Sequence, residues 1–222
     1  MNDNHKNQTA TKQTWEDFWK ARTRQKNSFI PLLNLVNDLT MVRKSVHLAM
    51  KYSQKGTVLQ AGSGEARNSI ALAKKRGDRV VALDFSPEAL ILAKAKAAEH
   101  NITIQLIEGN IEHMNFADNS LELVWNEGVM EHIVDPLPLL KEMKRVGKTV
   151  ICIVPSMSGG WKLAKLIKKA LKADEGIKEN FYYYHTPESL KKLFQDAGFK
   201  TCLVKEIRIL FFIKHLAGIG LN

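Results

Sequence analysis

Two glycines one residue apart, Gly62 and Gly64, follow the apolar run "TVLQA" (57–61), and an acid, Asp84, follows the next apolar run, "RVVAL" (79–83). Glycine permits a tight turn and lets a ligand approach the backbone. A helical pattern begins directly after the turn, so free N–H groups at its start favour an anionic group. A carboxylate 20 residues past Gly64, at the next strand end, can accept both hydroxyl hydrogens of a ribose. The chemistry these residues offer is the holding of a ribose-bearing cofactor. Dinucleotide sites use G-x-G-x-x-G/A, but the sixth position here is Arg67, which crowds helix–strand packing. The stretch reads instead as G-x-G-x-A, with Ala66 third.

A second set of reactive side chains lies in "NEGVMEHIVDP" (126–136). His132 is the candidate general base, needed only where the nucleophile carries a proton that must leave. The alternative is a histidine packed on the end of the sheet. Glu127 and Glu131 are weaker candidates for the same task. Tyr182, Tyr183, Tyr184 and His185 precede a later helix and border an acceptor pocket or simply pack; Tyr184 is taken as a substrate contact, together with Trp15, Trp19 and Trp161. Near the N-terminus, Trp15, Phe18 and Trp19 form an aromatic group at helical spacing, a lid over the cofactor or a packing face, with Arg22 or Arg24 turned to the acceptor. Trp161 opens "WKLAKLIKKALK" (161–172), where Lys162, Lys165, Lys168, Lys169 and Lys172 share one arc and the apolar residues the other. That helix is a core-packed element with a solvated lysine face, a membrane-surface helix or a lid for an anionic acceptor.

The elements that must position these groups follow from periodicity. A helix capped by Thr14 is expected over 14–26, and one or two more over 31–53. Strands are expected at 57–61, 79–83, 103–107, 121–125 and 149–154, with helices at 65–76, from Pro87 to about Glu99, and from Asp135-Pro136 to about Arg145. A helical insertion spans 155–180. A capped helix covers "TPESLKKLFQDAGF" (186–199), and a strand runs from about 199 to 207. The last strand belongs within "RILFFIKHLAGIGLN", with no clear turn before it. Strands alternating with helices imply a mostly parallel α/β sheet covered on both faces, and the strands are apolar throughout, as doubly buried strands are. The expected organisation is a polar tail (1–13) followed by one domain (14–222), with an N-terminal helical cap (14–53) and the insertion after the fifth strand.

From about residue 57 to 207 the chain resembles the class I S-adenosylmethionine-dependent methyltransferases. The resemblance rests on "VLQAGSGEA", "VVALDFSPEAL", "IEGNIEHMNFADNSLELVWNEGVMEHIVDP" and "TPESLKKLFQDAGF". It implies a Rossmann-like, doubly wound sheet and S-adenosylmethionine as the cofactor. It further implies that Gln60, Ala61, Gly62 and Gly64 line the methionine part and that Asp84 holds the ribose. Phe85 and Ile111 would lie on the adenine, Asn110 by its amine, and Asn126 by the methionine amine through its backbone. Two departures stand out: Gln60 replaces the acid common before the glycine turn, and Ala66 replaces the third glycine. The first removes negative charge near a cationic cofactor.

The chain has 222 residues, 45% of them apolar, and a formal net charge of +10. That composition is globular rather than disordered. The polar start "MNDNHKNQTATKQ" is no signal peptide, and no apolar run reaches membrane-span length. Cys152 and Cys202 are read as buried free thiols, consistent with a reducing cytoplasm. The expected function is methyl transfer to a small-molecule acceptor, lipid-like or anionic, in the cytoplasm or at the surface of an anionic membrane. Basicity keeps an RNA methyltransferase as the alternative, but "WNEGVMEH" is not the Asn/Asp-Pro-Pro-aromatic loop of exocyclic-amine methylation. A cofactor-binding protein without catalysis is a further alternative. No metal site is expected, and oligomeric state is open.

Overall fold

The structure, a computed structural model, describes residues 12–24, 32–157, 160, 183–208 and 214–222. Seven strands form one sheet in the order β3-β2-β1-β4-β5-β7-β6. They are β1 (Thr57–Ala61), β2 (Arg79–Asp84), β3 (Ile104–Glu108), β4 (Leu121–Glu127), β5 (Gly147–Pro155), β6 (Thr201–Arg208) and β7 (Lys214–Leu221). β1 through β5 pair in parallel, and β7 runs antiparallel between β5 and β6. The order reverses between β1 and β4, which places the ligand-binding crevice beyond the carboxyl ends of those two strands.

The helices are α1 (Lys12–Arg24), α2 (Leu32–Tyr52), α3 (Arg67–Arg76), α4 (Pro87–Glu99), α5 (Leu137–Val146) and α6 (Pro187–Asp196). One face of the sheet buries Val124, Val150 and Cys152 against Leu140 and Met143 of α5 and Phe194 of α6. The other buries Val58, Leu123, Trp125 and Ile151 against Met41, Val46 and Ala49 of α2 and Leu72 of α3. A smaller cluster seals α3 and α4 onto Ala82. The inner strands β1, β2, β4 and β5 are buried on both faces, which explains their lack of polar alternation, whereas the edge strands β3 and β6 are partly exposed.

Local chemistry sets the helix starts. Ser86 caps α4 through the Ala89 N–H, and Pro87 occupies its first turn. Thr186 and Ser189 form a reciprocal capping box on α6. Several sequence expectations change here. Thr14 does not cap α1, because the helix already runs from Lys12. Residues 32–52 are one helix that covers a sheet face, so only α1 stands in the position of a cap. Helix α3 starts at Arg67 rather than 65, because Ala66 takes a left-handed conformation (φ 53°) as the last residue of the glycine turn. The missing last strand is β7. The insertion's helix, with Trp161 and its lysine arc, lies outside the described residues, as does Tyr182.

Candidate active site

The turn after β1 is held by the strand beside it. The N–H groups of Gly62 and Ser63 both donate to the Leu83 carbonyl, at 2.9 and 3.0 Å, and the Gly64 N–H donates to Asp84 Oδ2 at 2.9 Å. Gly62 and Gly64 sit at φ 69° and 50°, in the left-handed region that a side chain resists. They are also enclosed. A Cβ on Gly62 would lie 2.5 Å from a Val129 methyl, and one on Gly64 would lie 2.8 Å from the Trp19 ring. Asp84 is buried, and its other oxygen accepts the Ser86 N–H at 3.0 Å. Burial pushes its carboxyl above the ordinary value, and the N–H groups of Gly64, Ser86 and Phe85 draw it back.

β4 supplies the facing wall. Asn126 is fully buried and uses its side chain: Nδ2 donates to the Ala61 carbonyl at 2.9 Å, and Oδ1 accepts the Met130 N–H at 3.3 Å. This clamps a short 3-10 turn, Met130–His132, against the glycine turn. Glu127 accepts from Ser45 of α2 and Asn68 of α3. Glu131 is only 6% exposed, and its Oε2 has no hydrogen-bond partner among the described residues. Burial, with the charge of Glu127 adding, pushes its carboxyl up to about 8. The His132 ring meets the Trp15 ring edge-on at 4.9 Å between centroids. Helix α1 thus reaches from His132, through Trp15, to Gly64, through Trp19, and to Glu88, through Lys20 at 3.7 Å.

The remaining candidates are scattered. Gln60 turns inward, its Oε1 accepting the Ser69 hydroxyl at 2.7 Å. Asn110 is exposed and accepts the Glu112 N–H at 2.9 Å. Ile111 is buried in the apolar layer with Leu83 and Met114, and Phe85 is half-buried. Tyr184 is half-buried, next to His185, which bridges to Ser156 beyond β5. A cleft of about 390 Å³ lined by Lys141, Lys144, Lys200 and Asn222 lies at the opposite edge of the sheet, by the amino ends of β4 and β5.

Three comparisons bear on this geometry. A family model described as a methyltransferase domain matches residues 59–150. The demethylmenaquinone methyltransferase of Staphylococcus carnosus is 30% identical over 183 residues, 73% of this chain and 76% of that protein. The enzyme of the same name from Listeria welshimeri is 32% identical over 168 residues, 66% of this chain and 71% of that protein. The chain belongs to the S-adenosylmethionine-dependent methyltransferase family.

Solved structures agree on the fold of this methyltransferase. A methyltransferase from Thermotoga maritima superposes with a TM-score of 0.65 at 16% identity, covering 94% of this chain and 98% of that one. The magnesium protoporphyrin IX methyltransferase of Synechocystis, with S-adenosylhomocysteine bound, gives 0.63 at 16% identity, covering 94% and 93%. The cofactor of the methyltransferase is S-adenosylmethionine, and its residues fit that group: a turn with no room for side chains, beside a buried strand-end carboxylate that accepts hydrogen bonds. Sequence reasoning missed the Val129 contact, the clamp made by the Asn126 side chain, and the bracing of the turn by Asp84. The apolar–polar pattern of one segment carries no signal for these, since each joins two distant segments.

Proposed function

We propose that this methyltransferase acts on a small, lipid-like acceptor of the quinone class, methylated in its reduced, hydroxyl-bearing form. The observation that carries the reading is the 30% identity, across most of both chains, to a protein named demethylmenaquinone methyltransferase. The aromatic pair of Trp15 on α1 and His132 beyond β4 suits a flat apolar ring.

S-adenosylmethionine supplies a methyl group already activated on sulfur. The chain's residues need to position and enclose. Asp84 accepts from the ribose hydroxyls, and Gly62 and Gly64 leave room for the methionine part. Phe85 and Ile111 flank the adenine, with Asn110 beside its amine. Trp15 and Trp19 on α1 close the crevice and keep water out, and Tyr184 borders the acceptor. Alignment of the acceptor in line with the methyl group supplies much of the rate. His132 stands on the acceptor side as a proton acceptor for a hydroxyl. The lysine-rich stretch 161–172 serves contact with an anionic membrane surface, where such an acceptor resides, and the protein works from the cytoplasm. Nucleic acid is not the substrate.

The test is methyl transfer from labelled S-adenosylmethionine. The acceptors are a chemically reduced demethylated quinone in mixed micelles, a water-soluble metabolite fraction, and purified tRNA. Label should enter the quinone. Label confined to the tRNA or water-soluble arm overturns the reading.

A further inference from the structure

The methyl donor of this family carries a positive charge on sulfur, whereas the product, S-adenosylhomocysteine, carries none there. The site therefore gains and loses a charge in every turnover, yet its sequence lacks the acid common before the glycine turn. Gln60 stands there, committed to Ser69, and at the end of β3 Asn110 is committed to its own turn. Asp84 already accepts an N–H on each oxygen. Two further carboxylates rise from the end of β4. Glu127 is engaged by Ser45 and Asn68. Glu131 is not so engaged: it is buried, and its Oε2 has no hydrogen-bond partner among the described residues.

The placement of Glu131 is fixed rather than incidental. It follows Met130, whose N–H is clamped to Asn126, and comes two residues after Val129, whose methyl group closes on Gly62. Its own carbonyl accepts the Tyr183 N–H at 2.7 Å, which ties the turn to the stretch leading into α6. Its own backbone N–H meets the carboxyl but leaves Oε2 bare, and a buried carboxylate so thinly solvated is costly as an anion and stays protonated unless a cation arrives.

We propose that Glu131 is the charge partner of the cofactor's sulfonium. It holds a proton while the site carries no cationic cofactor, gives it up when S-adenosylmethionine binds, and takes one back when methyl transfer leaves a neutral sulfur. The step balances. The acceptor's electron pair forms the bond to the methyl carbon, the pair of the broken carbon–sulfur bond remains on sulfur, and the proton lost by the acceptor, taken first by His132, passes on to neutralise the Glu131 carboxylate.

The titratable groups around it are Glu127 on β4, His132 on the same turn, Cys152 on β5, and Tyr183 before α6, with His185 two residues further on. Glu127 raises the Glu131 value further, and burial leaves the Cys152 thiol protonated. Burial also lowers the His185 value, so that ring stays neutral. The sign follows. With a value near 8 in the empty site, Glu131 is protonated at neutral pH. Binding of the cationic cofactor is then coupled to proton release and strengthens as pH rises to that value.

This inference rests on the cofactor assignment, and the experiment separates the two. Affinities for S-adenosylmethionine and S-adenosylhomocysteine are measured by calorimetry from about pH 6 to about pH 9, in two buffers of different ionisation heat. Both ligands carry the same amino and carboxylate groups, so the ratio of their affinities cancels those titrations. In the wild type the ratio should climb by up to about tenfold per pH unit and flatten above about pH 8, with close to one proton released per S-adenosylmethionine at neutral pH. In Glu131→Gln the ratio should be flat and no proton released. In Glu127→Gln the slope should persist at lower pH. A flat wild-type ratio with both ligands bound overturns the inference and leaves the cofactor assignment standing. A slope retained in Glu131→Gln overturns it too. Binding of neither ligand to the wild type overturns both. The wild-type curve and proton count decide even where the glutamine variant fails to fold.

Discussion

Asp84 does two jobs with one side chain. It braces the glycine turn through Gly64 and starts α4 through Ser86, and in the proposed assignment its remaining lone pairs accept from a ribose. Because these bonds are charge-assisted and buried, Asp84→Ala should weaken S-adenosylmethionine binding by about 1.5–3 kcal/mol. Calorimetry checks this, and unchanged affinity would place the ribose elsewhere. Asn126 is the opposite case: a residue expected to act through its backbone, whose side chain turns out to join β1 to the turn after β4.

At the scale of elements, β7 shows how a strand can form where its own sequence argues against it. Glycine weakens strands, and β7 has Gly218 and Gly220 in its interior. The rings of Phe194 and Phe199, 5.2 Å apart, fill the space that side chains there would take. A Cβ on Gly218 would lie 2.4 Å from Phe194, and one on Gly220 would lie 2.4 Å from Phe199. Overpacking of this kind costs about 1–3 kcal/mol, so Gly218→Ala should lower unfolding stability by that amount. Denaturant titration reads the loss. Cofactor affinity of the folded fraction should hold, because β4 and β5 separate β7 from β1 and its glycine turn. If stability is unchanged, Phe194 has another place to go.

At the scale of the whole molecule, the net charge of +10 bears on where the enzyme meets an apolar acceptor. Among the described residues, no helix is long and apolar enough to cross a membrane. The proposed contact is with an anionic surface, where lysines contribute about 1 kcal/mol each. Vesicles rich in anionic lipid should therefore sediment the protein at about 50 mM salt and release most of it near 200 mM, as screening shortens the reach of each charge. Replacing Lys165, Lys168 and Lys169 with Glu should abolish the sedimentation. Equal binding to neutral and anionic vesicles would show that charge plays no part.

The sequence by itself determined the fold class and the cofactor. Alternating apolar strands and capped helices are local patterns, and so is a glycine turn followed by an acid at the next strand end. Each depends only on residues near in the chain, which is why β1 and α4 have the expected bounds, and β2 ends at the acid that follows its apolar run. What lay beyond reach depends on neighbours from distant segments. The start of α3 was displaced because the turn needs Ala66 in a left-handed conformation before the helix can begin. The last strand was hidden because its glycines make sense only against Phe194 and Phe199. Gln60 turns inward because Ser69 of α3 lies beside it. Glu131, one of two weaker candidates by sequence, is set apart by burial together with an Oε2 that has no hydrogen-bond partner among the described residues. Whether a carboxyl is solvated or enclosed decides its charge, and only the tertiary structure, by placing Cys152 and Glu127 around it, fixes that environment.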